Sequence, residues 1–145
     1  MSENDNLKIL ILNTEEEYLK EFCEAYRADF CTPDGFNICC KYLESTAKHF
    51  CRGGKNGPFQ VTRAYRILWA KYILMHPEER VILRDICTGN TLFFLIRTKT
   101  PHIVVCKKLG DKWNLISSFV VGGDRAKKYL KGQYPYEYFD KNKDK

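Results

Sequence analysis

A chain of 145 residues with 44% hydrophobic and 14% aromatic side chains has apolar matter for one real core and is cramped for two domains, so residues 1–145 are expected to form a single domain. No run approaches the roughly 18–20 apolar residues of a membrane span, and the acidic start at 1–6 lacks the basic and apolar regions of a signal peptide, which points to the cytoplasm and away from a membrane. The net charge of +6 is unevenly spread: residues 1–34 hold three Lys/Arg against nine Asp/Glu, so the remainder forms a cationic body that concentrates phosphate-bearing partners, or simply solvates the surface.

In chain order, residues 7–12 (LKILIL) are an apolar run fit for a buried strand or an N-terminal arm. Asn13 and Thr14, followed by Glu15, Glu16 and Glu17, form a helix start with carboxylates at the positive end of the dipole. That helix is expected to run to about Asp29, with Tyr18, Phe22 and Tyr26 as a core-facing stripe. Thr32-Pro33-Asp34-Gly35 is a turn by its chemistry. A second helix is expected over 37–50, stopping at a glycine-rich loop, 52–58, that carries Arg52 and Lys55. Thr62 is a fair N-cap for a third helix ending near Met75, with Val61, Tyr65, Leu68, Tyr72 and Met75 as its apolar stripe and Arg63 and Arg66 opposite. From Arg80 the period becomes that of strands, at 80–86, 91–98, 102–108 and 113–121, separated by tight turns. Residues 124–131 read as a short basic helix, and 139–145 as a frayed tail. The expected fold is therefore α+β: N-terminal helices packed on one face of a four-stranded antiparallel sheet, the other face left free.

Seven cysteines in a chain without a secretory signal read as reduced thiols. Cys31, Cys39, Cys40, His49 and Cys51 raise a zinc-stabilised module as an alternative, although no Cys-x-x-Cys pair is present and no metal or cofactor is expected. Signatures of nucleotide-cradling loops, metalloproteases and nucleophile elbows are missing, and carboxylates in the basic body are scattered rather than clustered for two metals. Metal-independent cleavage of RNA remains open, since the 2′-hydroxyl attacks its own phosphate and the protein supplies only a base, an acid and a cation. His49 lies beside Lys48 and Arg52, cations that favour its neutral, proton-accepting form, while Arg63 and Arg66 are spaced to clamp a phosphate or to be solvated. His76 reads as a helix C-cap and His102 as structural or exposed.

The segments Tyr42-Leu43-Glu44-Ser45-Thr46-Ala47-Lys48-His49-Phe50 and Arg63-Ala64-Tyr65-Arg66-Ile67-Leu68-Trp69, followed by a meander with His102-Ile103-Val104-Val105 and Leu115-Ile116-Ser117-Ser118-Phe119, resemble the phage-associated branch of the barnase, EndoU, colicin and RelE-like (BECR fold) nucleases. The resemblance spans about residues 33–135. It implies a small metal-independent ribonuclease deployed as a toxin, with His49 as base or acid, Arg63 and Arg66 on the phosphate, and Ser117 orienting by its hydroxyl. Strand alternation sets Ser117 with Trp113, Leu115 and Phe119, so Ser118 is kept beside it as the residue facing the groove. Arg52, Lys55, Lys71, Lys107, Lys127, Lys128 and Lys131 are the candidate RNA contacts, and an acidic antitoxin or immunity protein is the expected partner. A catalytically silent module that binds nucleic acid or protein, using Tyr129, Tyr134, Tyr136, Tyr138 and Phe139, stands as the alternative.

Overall fold

The computed structural model describes residues 9–52, 57–96 and 101–122, and the backbone of 136–138. Helix α1 (Glu15–Tyr26) starts where its chemistry predicts: Thr14 Oγ1 accepts the Glu17 N–H at 3.2 Å, and three glutamates fill the first turn. Tyr18, Phe22 and Tyr26 are buried, and the Tyr26 hydroxyl donates to the Ile67 carbonyl at 2.6 Å. The described part of the preceding apolar run is an arm and not a strand. Its polar groups are taken by the helical layer, since Leu10 N–H donates to Tyr65 O at 2.8 Å and the Tyr18 hydroxyl bridges Leu10 O and Leu12 N–H at 2.9 and 3.0 Å.

Strands β1 (Phe30–Cys31) and β2 (Asn37–Cys39) pair around the Thr-Pro-Asp-Gly turn, where Gly35 takes φ 92°, a conformation that other residues adopt only under strain. The second helix, expected over 37–50, is therefore shorter: α2 spans Leu43–Cys51. Residues 37–39 are drawn into the sheet instead, and the Asn114 side chain ends the strand by accepting the Lys41 N–H at 2.8 Å.

The expected third helix is two, α3 (Val61–Ala64) and α4 (Trp69–Met75), with Gln60 rather than Thr62 at the N-cap position. Between them the N–H groups of Arg66, Ile67 and Trp69 bond to carbonyls three residues back, at 3.2, 3.2 and 3.0 Å, which overwinds the chain. The overwinding turns a different face inward. Ala64, Ile67, Ala70, Ile73 and Leu74 are fully buried, whereas Val61 is 49% exposed and Tyr65, Leu68, Tyr72 and Met75 sit half-buried at the flank.

After the 3₁₀ turn Pro77–Glu79 come β3 (Arg80–Asp85), β4 (Thr91–Ile96), β5 (His102–Leu109) and β6 (Lys112–Val120), an antiparallel meander as the alternation predicts. The sheet is wider than the four strands expected. Strand β7 (Tyr136–Tyr138) adds antiparallel to β3, and β2 adds parallel to β6, giving seven strands among the described residues in the order β1-β2-β6-β5-β4-β3-β7. Strands of two or three residues carry no alternation by which to recognise them. The basic helix expected at 124–131 lies outside the described residues.

Helices cover one face of the sheet around a large core that joins Phe22, Phe50, Ile67 and Ile73 to Phe94, Val104 and Leu115. The other face is not free. Leu83, Leu95, Ile103 and Val121 are buried in a second cluster against Val81, Phe93 and Phe119. Arg80 fastens the layers together: it donates to the last carbonyls of α4 on Ile73 and Leu74 at 2.8 and 2.9 Å and to both oxygens of Asp34 at 3.0 Å. Burial alone would raise the Asp34 pKa, but its bonds from Arg80 and Thr32 outweigh this and hold the carboxyl below its ordinary value. Among the described residues no helix is long and apolar enough to cross a membrane.

Candidate active site

The site is built where β6 departs from regular pairing. Cys106 faces Leu115 and Val105 faces Ser117, so Ile116 is an extra residue, a bulge that shifts the register. Leu115 consequently belongs to the helix-side core while Phe119 packs against the second cluster. The expectation that Ser117 shares a face with both is thus corrected. Ser118 lies opposite Val104 and is buried beneath the helical layer.

Because β2 pairs only with Trp113 and Asn114, the rest of the β6 edge runs beside α2. His49, in the last turn of α2, reaches that edge and sets Nε2 3.1 Å from Ser117 Oγ. Burial, and then the neighbouring Arg63 charge, hold the His49 pKa below its ordinary value, so the ring is neutral near pH 7. Arg63 donates to the His49 carbonyl at 3.3 Å. Arg66 donates to Thr62 O at 2.7 Å and lies over the rings of Tyr65 and Trp69, 5.0 and 5.2 Å from their centroids. Among the described residues neither guanidinium meets a carboxylate.

Arg63 and Arg66 line a cleft of about 140 Å³ together with Thr62, His102, Ser118 and Phe119. His49 is adjacent to this cleft, through Arg63 and Ser117, and not among its lining residues. His102, read from sequence as structural or exposed, is instead 3% exposed, packs edge-on to Trp69 at 5.3 Å and shares a short hydrogen bond between Nε2 and Ser118 Oγ. Burial, followed by the charges of Arg66 and Arg63, pushes its pKa down to about 3. A signal for its position was present in the sequence, since a hairpin about Gly110 folds the start of β5 onto the end of β6. Counting pairs from that turn without the bulge puts them one residue out of register.

His76 is the C-cap residue of α4, as its place before Pro77 implies, with its Nδ1–H donating to Tyr72 O at 2.8 Å. Of the candidate RNA contacts, the described ones, Arg52, Lys71 and Lys107, do not line the cleft. Arg52 is held by both oxygens of Glu15 at 2.8 and 3.0 Å, and this hydrogen bond keeps the Glu15 pKa low. Lys71 donates to Ala25 O at 3.1 Å across the Phe30 ring. Lys107 is exposed five positions along β5 from His102, roughly 17 Å away at about 3.4 Å per residue. Lys55, Lys127, Lys128, Lys131, Tyr129, Tyr134 and Phe139 lie outside the described residues, and Tyr136 and Tyr138 are described as strand backbone.

The cysteines do not converge with His49 on a metal position. Among the described residues the one group of ligating side chains within 4.8 Å of one another is His76, Glu78 and Glu79. Burial pushes the Cys40 and Cys51 thiols up to about 11, which keeps them protonated near pH 7. No protein-family model matches the chain, and neither a curated protein nor a solved structure does.

Proposed function

We propose that the protein is a metal-independent ribonuclease of the phage-associated BECR type, acting as a toxin on RNA and neutralised by an acidic partner. The observation that carries this reading is the His49–Ser117 contact at 3.1 Å, set beside two arginines without carboxylate partners among the described residues. Neutral His49 takes the proton of the ribose 2′-hydroxyl, with the Ser117 hydroxyl fixing the ring. The 2′-oxygen then attacks phosphorus and the bond from phosphorus to the 5′-oxygen breaks. The 5′-oxygen leaves with a proton returned by the imidazolium or by water, and a 2′,3′-cyclic phosphate remains. Arg63 and Arg66 meet the charge that builds on the phosphoryl oxygens.

The test is incubation of the full chain with a defined RNA in excess EDTA. Cleavage leaving 2′,3′-cyclic phosphate ends is expected, with a fall of roughly 10²- to 10⁴-fold in His49→Ala, a marked fall in Arg66→Ala, and no cleavage where the scissile ribose is 2′-deoxy. Undiminished cleavage by folded His49→Ala overturns the assignment. One observation favours a second reading, a module that binds RNA without cutting it: among the described residues the histidine lining the cleft is His102, whose pKa pushed down to about 3 leaves it neutral near pH 7 and a poor acid toward a leaving oxygen. Retarded but intact RNA supports that reading.

A further inference from the structure

Buried polar atoms without hydrogen-bond partners are few in folded proteins, and each calls for a water, an ion or a ligand. Among the described residues three buried side-chain nitrogens lack a partner: Arg63 Nε, Arg66 Nε and His102 Nδ1. All three belong to residues that line the same cleft. The two arginine atoms are N–H donors in every state of the protein. The third atom belongs to a pair that also has a donor to spare. Neutral His102 carries one N–H and Ser118 one O–H, and their mutual bond uses one of the two. If the serine donates, the Nδ1–H is left over; if the imidazole donates, the serine hydroxyl is left over. Either way the residues lining the cleft hold one spare donor in this pair beside two unpartnered arginine N–H groups and two fixed positive charges, which is the chemistry that receives an oxyanion.

Size narrows the ligand. At about 140 Å³ the cleft falls below the roughly 300–1,000 Å³ of sites that enclose a whole small molecule. That size suits a small group such as one phosphoryl and leaves a sugar and base outside. Val120, 39% exposed at the rim, is the surface those parts would meet.

We propose that this cleft is a subsite for a single phosphoryl group, in which the His102–Ser118 pair supplies an uncharged hydrogen-bond donor between the guanidinium groups of Arg63 and Arg66. The proposal deepens the ribonuclease reading and rests on it only for the owner of the phosphoryl group, an RNA phosphodiester rather than free phosphate. The His102–Ser118 pair is here a binding group, distinct from the His49–Ser117 pair.

The experiment is calorimetric titration of the full chain with inorganic phosphate at constant ionic strength, alongside the ring resonances of His102 followed by NMR. Saturable binding at one site and a shift of the His102 ring signals are expected. Ser118→Ala, a small change that spares His102, is expected to weaken phosphate about three- to tenfold, and Arg66→Gln about tenfold or more. The exposed Lys20→Gln serves as a control and leaves binding unchanged. Unsaturable heat, still ring signals, or wild-type affinity in folded Ser118→Ala overturns the subsite. Because the titration contains no RNA, the two readings fail separately. Phosphate binding with RNA left intact retains the subsite and removes the nuclease; cleavage with no phosphate binding removes the subsite alone.

Discussion

Asp34→Ala tests how the helical layer is held over the sheet. Arg80 is 2% exposed in its side chain and meets Asp34 through two bonds of 3.0 Å, so removing the carboxylate leaves a buried cation short of its counter-charge. Breaking such a pair from one side costs about 3–5 kcal/mol when both members are buried. Two features reduce this. Asp34 keeps 28% exposure, and Arg80 retains the Ile73 and Leu74 carbonyls at 2.8 and 2.9 Å. The expected loss is therefore about 2–3 kcal/mol, read by equilibrium urea unfolding as a fall of about 0.7–3 M in the midpoint for a slope near 1–3 kcal/mol per M. Adding Arg80→Met should recover part of it, since an apolar side chain over Phe94 leaves no charge to compensate. The sign of the pH dependence is also fixed. A carboxyl whose folded pKa lies below its unfolded value of about 3.9 contributes fully above that value, and the contribution is lost as pH falls through the folded pKa. The gap between wild type and variant should thus be constant from about pH 5 to 8 and close in stronger acid. A loss under about 0.5 kcal/mol, or a double variant no more stable than the single one, refutes the account.

Four other outcomes follow from particular residues. Since the His49 pKa is lowered, the rising limb of kcat/KM against pH should have its midpoint below the ordinary value of 6.5; a midpoint above it contradicts His49 as the base. Phe22→Ala, at a fully buried position, should cost about 3–5 kcal/mol in chemical unfolding. Gly110→Ala should cost about 1 kcal/mol through its φ of 64° alone, because a Cβ there meets nothing within 4 Å, and Gly110→Asn should cost less. In the native protein a thiol reagent should modify exposed Cys31 and Cys87 first and buried Cys39, Cys51 and Cys106 last; fast reaction of Cys106 contradicts its burial.

The parts legible in the sequence are those written in a repeating pattern. Long strands with alternating or β-branched residues gave β3 to β6 nearly to the residue, and Thr14 with its glutamates gave the start of α1. Features set by distant partners were not legible. Residues 37–39 look helical beside 43–51 until a hairpin partner and a parallel neighbour claim them. The kink at 65–68 has no proline or glycine to announce it, and it turned the arginines from an outward face to the wall of a cleft. Of the candidate site, the sequence singles out His49, Ser117, Ser118, Arg63 and Arg66, and the structure brings them near one another. His102 is missed because pairs counted across the Gly110 hairpin without the bulge set it opposite Phe119, one residue from its partner Val120.

The bulge decides which serine meets which histidine. In a regular β5–β6 pair continued from Cys106 and Leu115, Ile116 would face Val105, Ser117 would face Val104, and Ser118 would face Ile103. Ser117 would then lie under the helices near His102, and Ser118 would turn into the second cluster with Ile103. The extra residue at Ile116 moves each serine one place. It delivers Ser118 to His102 at the cleft and leaves Ser117 at the strand edge, where β2 has already ended and α2 can bring His49 to it. Two histidines on separate elements are thereby bonded to successive serines of a single strand, Ser118 on the helix side and Ser117 at the open edge.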